Sequence, residues 1–355
     1  KNLQQPLKQV CALVLALPLL IASSIAQGND FPTAAPEDVG VSSERLQRLS
    51  NTMQRYIDSN MLAGTVSLVS RNGKVIHVES QGWKNKENDE PMTDDSIFVI
   101  MSMTKPIVST ALMMLYEEGN FLLTDPITDW IPELKGKQVV IEEDGTNYRM
   151  SAHRPITFRH VLSHTAGVDP SREVLTEEEL ALLPRKATLE ETLINRAPLP
   201  LSFHPGDDWQ YGSSTDYVAL LVERISGQSL VDYLQEKILD PLKMHDTSYI
   251  VPKDKVGRVA AVYSPSGPNQ TIELFRETGY RETTYFGGVA GLSSTVSDYW
   301  RFSQMLLNGG ELDGVRLLSP KTVNLMISNH SGENDVYIRG PGYTFGLGFG
   351  LVNDA

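Results

Sequence analysis

Two stretches with strand character stand near opposite ends of this chain, and nearly everything between them reads as helix or loop. Near the start, Thr65-Val66-Ser67-Leu68-Val69 alternates, Arg71-Asn72-Gly73-Lys74 follows, and Val75-Ile76-His77-Val78 resumes the pattern. Asn-Gly between two such runs is a strong hairpin signal. Near the end, Tyr343 to Val352 is glycine-rich and aromatic and reads as a strand. Between them the helical period marks Ser102 to Glu118, closed by Gly119-Asn120. It marks Tyr217 to Ile225, Leu230 to Leu242, Val296 to Leu307 and Pro320 to Ile327 as well. One more helix, Ser43 to Ser59, precedes the hairpin, with Leu46, Leu49, Met53 and Ile57 on one face and Ser42 or Ser43 as its cap. The expected fold is therefore α+β: an antiparallel sheet flanked by helices and contributed by both ends of the chain (33–118 and 285–355), with a mainly helical part, 119–284, between them. Ligand sites favour such a junction.

The first 26 residues read differently. Lys1 and Lys8 precede an apolar run from Val10 to Ala22, and Ser24-Ile25-Ala26 fits a signal-peptidase site. The run is short for a membrane span, which needs about 20 apolar residues. The expectation is a cleaved leader over 1–26, a periplasmic or secreted product, and no stable membrane span after cleavage. Cleavage would remove Cys11, the only cysteine, and with it cysteine nucleophiles, disulfides and thiolate metal sites. The net charge of −13 disfavours a nucleic-acid partner, because phosphate binding needs clustered Lys and Arg.

What chemistry remains is narrow. There is no G-x-S-x-G elbow, no H-E-x-x-H, no P-loop and no G-x-G-x-x-G. His160 and His164 are spaced for one helical face, but no third ligand accompanies them, so no metal or cofactor is expected. Ser102 and Lys105 lie three apart at the start of a helix, so their side chains share a face. A hydroxyl needs a base before it attacks a carbonyl, and a lysine serves when burial disfavours its charged form. The apolar flanks Ile97 to Met101 and Ile107-Val108 supply such surroundings. At a helix N-terminus, free N–H groups favour developing negative charge. Tyr211, in Trp209-Gln210-Tyr211-Gly212-Ser213, is a second candidate: a phenol that passes a proton to the leaving group, or a packed aromatic with a bonded hydroxyl.

With Ser102-Met103-Thr104-Lys105-Pro106 and Tyr211-Gly212-Ser213 in this order, the chain resembles the serine β-lactamase-related superfamily: class C β-lactamases, D-alanyl-D-alanine peptidases and family VIII carboxylesterases. Leu162-Ser163-His164-Thr165-Ala166-Gly167, His204-Pro205-Gly206 and Gly287-Gly288-Val289-Ala290-Gly291-Leu292 extend the likeness, and Met305 to Gly310 looks most like the esterase branch. The resemblance implies a β-lactamase/transpeptidase-like fold and a small-molecule ester or β-lactam substrate. It implies Ser102 as nucleophile, Lys105 as base and Tyr211 as a second proton carrier, with Trp209 and Ser213 facing substrate and the Ser102 N–H as half of an oxyanion hole. Ester hydrolysis through an acyl-serine is the leading expectation. A β-lactam or D-Ala-D-Ala hydrolase and a non-catalytic binding protein are the alternatives. The superfamily's third motif, a Lys-Thr-Gly-like strand, is not found before Ala355. It is expected, with the second oxyanion donor, beyond that residue, which would make this a C-terminally truncated chain with an incomplete sheet.

Overall fold

The computed structural model describes residues 31–266, 271–277, 279–337 and 340–352; the expected leader, 1–26, lies outside them. Ser42 caps α1 (Ser43–Asp58) by accepting the Arg45 N–H at 3.3 Å. The apolar face of α1 lies against a hairpin of β1 (Gly64–Arg71) and β2 (Lys74–Asn85), turned at Asn72-Gly73. Leu68 pairs with Val78 and Val66 with Ser80, and β3 (Glu90–Pro91) adds to the far side of β2. Next come β4 (Phe98–Val99), a 3₁₀ turn at Met101–Met103 and α2 (Thr104–Glu117).

α2 is central. Ten of its fourteen residues are buried, on all sides, which marks a helix enclosed by protein rather than lying at a surface. Its main partner is α6 (Ser214–Ser226), which buries nine consecutive residues from Ser214 to Val222. Around this pair lie α3 (Phe158–Leu162), α5 (Leu189–Arg196) and α7 (Leu230–Leu234), and the short α4 (Glu177–Leu180), with no buried residue, comes between α3 and α5 in the chain. The helix expected over Leu230 to Leu242 narrows to α7 and a π-helical turn, Gln235–Leu239.

The 119–284 stretch also holds two hairpins: β5 (Gln138–Glu143) with β6 (Thr146–Ser151), and β7 (Val262–Ser266) with β8 (Thr271–Arg276). Every residue of β6 is exposed, so it carries no apolar alternation by which to recognise it. The chain then returns through β9 (Ser293–Ser294), α8 (Val296–Leu307), β10 (Glu311–Leu312), β11 (Val315–Arg316) and α9 (Pro320–Met326).

The strand expected at Tyr343 to Val352 is instead a hairpin, β12 (Tyr343–Phe345) and β13 (Gly350–Val352). Its turn docks on the helices: Leu347 N–H donates to Met326 O at 2.8 Å and Gly348 N–H to Leu162 O at 2.9 Å. Among the described residues it pairs with itself and not with β1–β3, so these strands do not extend the N-terminal sheet as expected. Residues Pro32–Ala355 form one compact unit. Among the described residues no helix is long and apolar enough to cross a membrane.

Candidate active site

The short ladder of β4 with β9 is what builds the site. Phe98 pairs with Ser294 and Val99 with Ser293. Ile100 N–H donates to Leu292 O at 3.0 Å, and Leu292 N–H to the Thr104 hydroxyl at 3.3 Å. These bonds lay the glycine-rich segment 287–291 alongside the start of α2. Met101, just before the nucleophile candidate, is bent into the left-handed region at φ +46°. A non-glycine residue there costs on the order of 1–2 kcal/mol, and the ladder on one side and α2 on the other hold it.

Ser102 follows in the 3₁₀ turn. Lys105, one turn on, is 5% exposed; its Nζ donates to Ser102 Oγ at 3.1 Å and to the Val289 carbonyl at 2.9 Å. The Tyr211 ring lies beneath the same Nζ, 4.6 Å from nitrogen to ring centroid. An amine buried on a central helix must find acceptors or lose more solvation than it regains. Here one acceptor is the candidate nucleophile. Ser102, Lys105 and Tyr211, chosen from sequence, are thus brought together.

Two carboxylates that sequence reasoning missed hold the walls of this site. Asp216, on the first turn of α6 and 3% exposed, accepts the Val289 N–H and the Tyr285 hydroxyl, each at 3.1 Å. The residue that presents its carbonyl to Lys105 is therefore held through its own N–H by Asp216. Burial raises the Asp216 carboxyl above its usual range, and hydrogen bonds from Val289, Tyr285 and Gly288 oppose that rise. Asp169 clamps the opposite wall: it accepts the Ser213 N–H at 2.7 Å and the Ser213 hydroxyl at 2.6 Å. A Cβ at Gly212 would lie 2.1 Å from Asp169 Oδ2, so a larger residue there would push the carboxylate off its Ser213 bonds.

The other expected substrate contacts take different positions. Ser213 spends its hydroxyl proton on Asp169. Trp209 is 2% exposed and packs with Val336 and Phe345. Its ring supports Tyr211 from behind, 6.2 Å between centroids, and presents no surface to a ligand. Its apolar bulk was readable; its burial depends on 336 and 345, far away in sequence. His160 and His164 do not share a helical face, because α3 ends at Leu162. His160 Nδ1 accepts the Thr157 N–H at 3.1 Å. His164, 1% exposed at φ +61°, places its ring 4.8 Å from that of Tyr211. Burial, then the nearby Lys105, drives the His164 imidazole down to about 3. Burial likewise lowers His160 to about 4. Among the described residues no cluster of three or more His, Cys, Asp or Glu is arranged to hold a metal.

A comparison with known families decides the affiliation: the beta-lactamase family model matches residues 49–354. This chain belongs to the beta-lactamase family. It is 32% identical over 306 residues to Protein Rv1367c of Mycobacterium tuberculosis, covering 84% of this chain and 76% of that one. It is 26% identical over 332 residues to Esterase EstB of Burkholderia gladioli, covering 86% and 80%. Among solved structures it is similar to EstCE1, a hydrolase with promiscuous acyltransferase activity, with TM-score 0.73 and 25% identity over 87% of this chain and 83% of that one. The β-lactamase/transpeptidase-like α+β fold and a serine-hydrolase character follow for this family member.

Proposed function

We infer that this beta-lactamase family member hydrolyses small carboxylic esters through an acyl-enzyme on Ser102. The observation that carries the reading is Lys105 Nζ, buried and 3.1 Å from Ser102 Oγ. In its uncharged form Lys105 takes the Ser102 proton as Oγ bonds to the ester carbonyl carbon. The Ser102 N–H, at the head of the 3₁₀ turn that leads into α2, faces the charge that develops on the carbonyl oxygen. The intermediate collapses with loss of the alkoxide, which takes a proton from the Tyr211 phenol. Water then attacks the acyl-serine, and the same two groups carry protons in reverse. The esterase relatives support a carboxylic ester over a β-lactam.

Hydrolysis of 4-nitrophenyl butyrate tests the chemistry, and a fluorophosphonate adduct mapped by mass spectrometry tests the serine. The wild type is expected to turn over the ester and to carry the label on Ser102. Lys105→Ala is expected to lower kcat by about 10²–10⁴, the span of a positioned base. Ester turnover that survives in Ser102→Ala sinks the mechanism. Faster turnover of a chromogenic cephalosporin than of the ester sinks the substrate class.

A further inference from the structure

A cleft of about 320 Å³ opens beside the dyad. Its lining includes Met101, the neighbour of Ser102, and Val289, whose carbonyl receives the Lys105 bond. The same lining carries Arg276, where β8 ends, and Arg281. Among the described residues neither guanidinium has an ion pair or hydrogen-bond partner. The acidic neighbours do not neutralise them: Glu277 is held by the Asn85 amide at 3.0 Å, and Glu282 makes no bond to either arginine. A third arginine on the cleft, Arg185, is already placed, stacked 4.0 Å over the Tyr285 ring. The setting makes this unusual. On a chain with 44 acidic and 31 basic residues, two unpaired guanidiniums share one wall beside the reacting centre.

Burial and the charge of Arg281 both lower the basicity of Arg276, as expected where like charges meet with no counter-ion. An anion placed between them would relieve that repulsion, and a planar guanidinium matches a carboxylate with two parallel bonds. We propose that this cleft selects esters bearing a second, ionised carboxylate, which Arg276 and Arg281 bind while the ester carbonyl lies at Ser102. The proposal rests on the hydrolase reading above and names the substrate class of that same site.

Two matched pairs test it. Mono-4-nitrophenyl glutarate against 4-nitrophenyl pentanoate places the charge on the acyl side. 4-Acetoxybenzoate against phenyl acetate places it on the alcohol side. In at least one pair the wild type is expected to favour the anionic ester in kcat/KM by about tenfold, the scale of a charge-assisted hydrogen bond. In Arg276→Gln/Arg281→Gln that ratio is expected to collapse to near one. In Arg276→Glu/Arg281→Glu it should invert, with thermal unfolding used to confirm the fold. Neutral esters turned over with no anionic preference in either pair would overturn the inference and leave the hydrolase reading standing. So would a preference unchanged in both double variants. Failure of the wild type on all four esters overturns both.

Discussion

Asp216 and Asp169 do the same job on opposite walls of one site by different means. Asp169 is half-buried and holds the Tyr211 turn with two short bonds from one residue, Ser213. Asp216 is buried and holds the Lys105 wall with longer bonds from more than one residue, Val289 and Tyr285 among them. A half-solvated carboxylate can be lost and its donors rehydrated. A buried one leaves its donors stranded, at about 1–3 kcal/mol for each. The proton-accepting wall is therefore the brittle one.

Acid separates the walls most strongly. His164, against the Tyr211 ring, and His160, near the start of α3, have folded values of about 3 and about 4, below the usual 6.5. Between those values and 6.5 the unfolded chain binds more protons than the folded one. Stability should thus fall as pH drops from 6.5 toward 4, by about 1.4 kcal/mol per unit for each histidine. Asp216 works in the opposite sense. Its folded value is raised, so its protonation favours the folded state and that benefit fades as pH rises through the raised value. Urea unfolding at stepped pH should show a steep acid limb. His164→Asn, which removes the imidazole and tolerates φ > 0, should flatten it; an unchanged limb would move the acid sensitivity elsewhere.

Gly288→Ala comes next. A Cβ there would lie 2.0 Å from the Thr215 carbonyl oxygen, a backbone atom of α6 that cannot swing away. A loss of about 3 kcal/mol is expected in denaturant unfolding, with ester turnover falling in parallel. Asp216→Ala should cost about 2–3 kcal/mol and Asp169→Ala about 1 kcal/mol, each measured the same way. Equal costs would erase the distinction between the walls. Ser213→Ala should do least, under about 1 kcal/mol, because its N–H still reaches Asp169; a large drop in kcat there would restore Ser213 as a substrate contact.

The sequence made the local half of this site readable and not the distant half. Ser102 and Lys105 share a helical turn, so spacing alone joins them. Val296 to Leu307 is readable to the residue, because Thr295 caps α8 and apolar Trp300, Phe302 and Met305 are among its buried residues. Asp216 gave no sign: it lies within an apolar helix, and its partners are 69 and 73 positions away. β9 is two serines and carries no strand signal. β5 and β6 join at Asp144-Gly145, where both residues have positive φ, a turn hidden by the charged run before it. The 343–352 hairpin reads as one strand because its turn is itself apolar, with Leu347 buried among the helices.

The Val289–Lys105 bond has a consequence for timing. It joins residues 184 positions apart, and such contacts close late because the loop between them must be ordered first. α2 can form early, and Ser102 can stand beside Lys105 in it, but the amine is not fixed until the returning chain arrives. A folding chain would therefore carry an ordinary alcohol at Ser102 through most of its maturation. Labelling by a fluorophosphonate during refolding should lag behind the helical signal. The serine would be armed only once the remainder of the fold is in place.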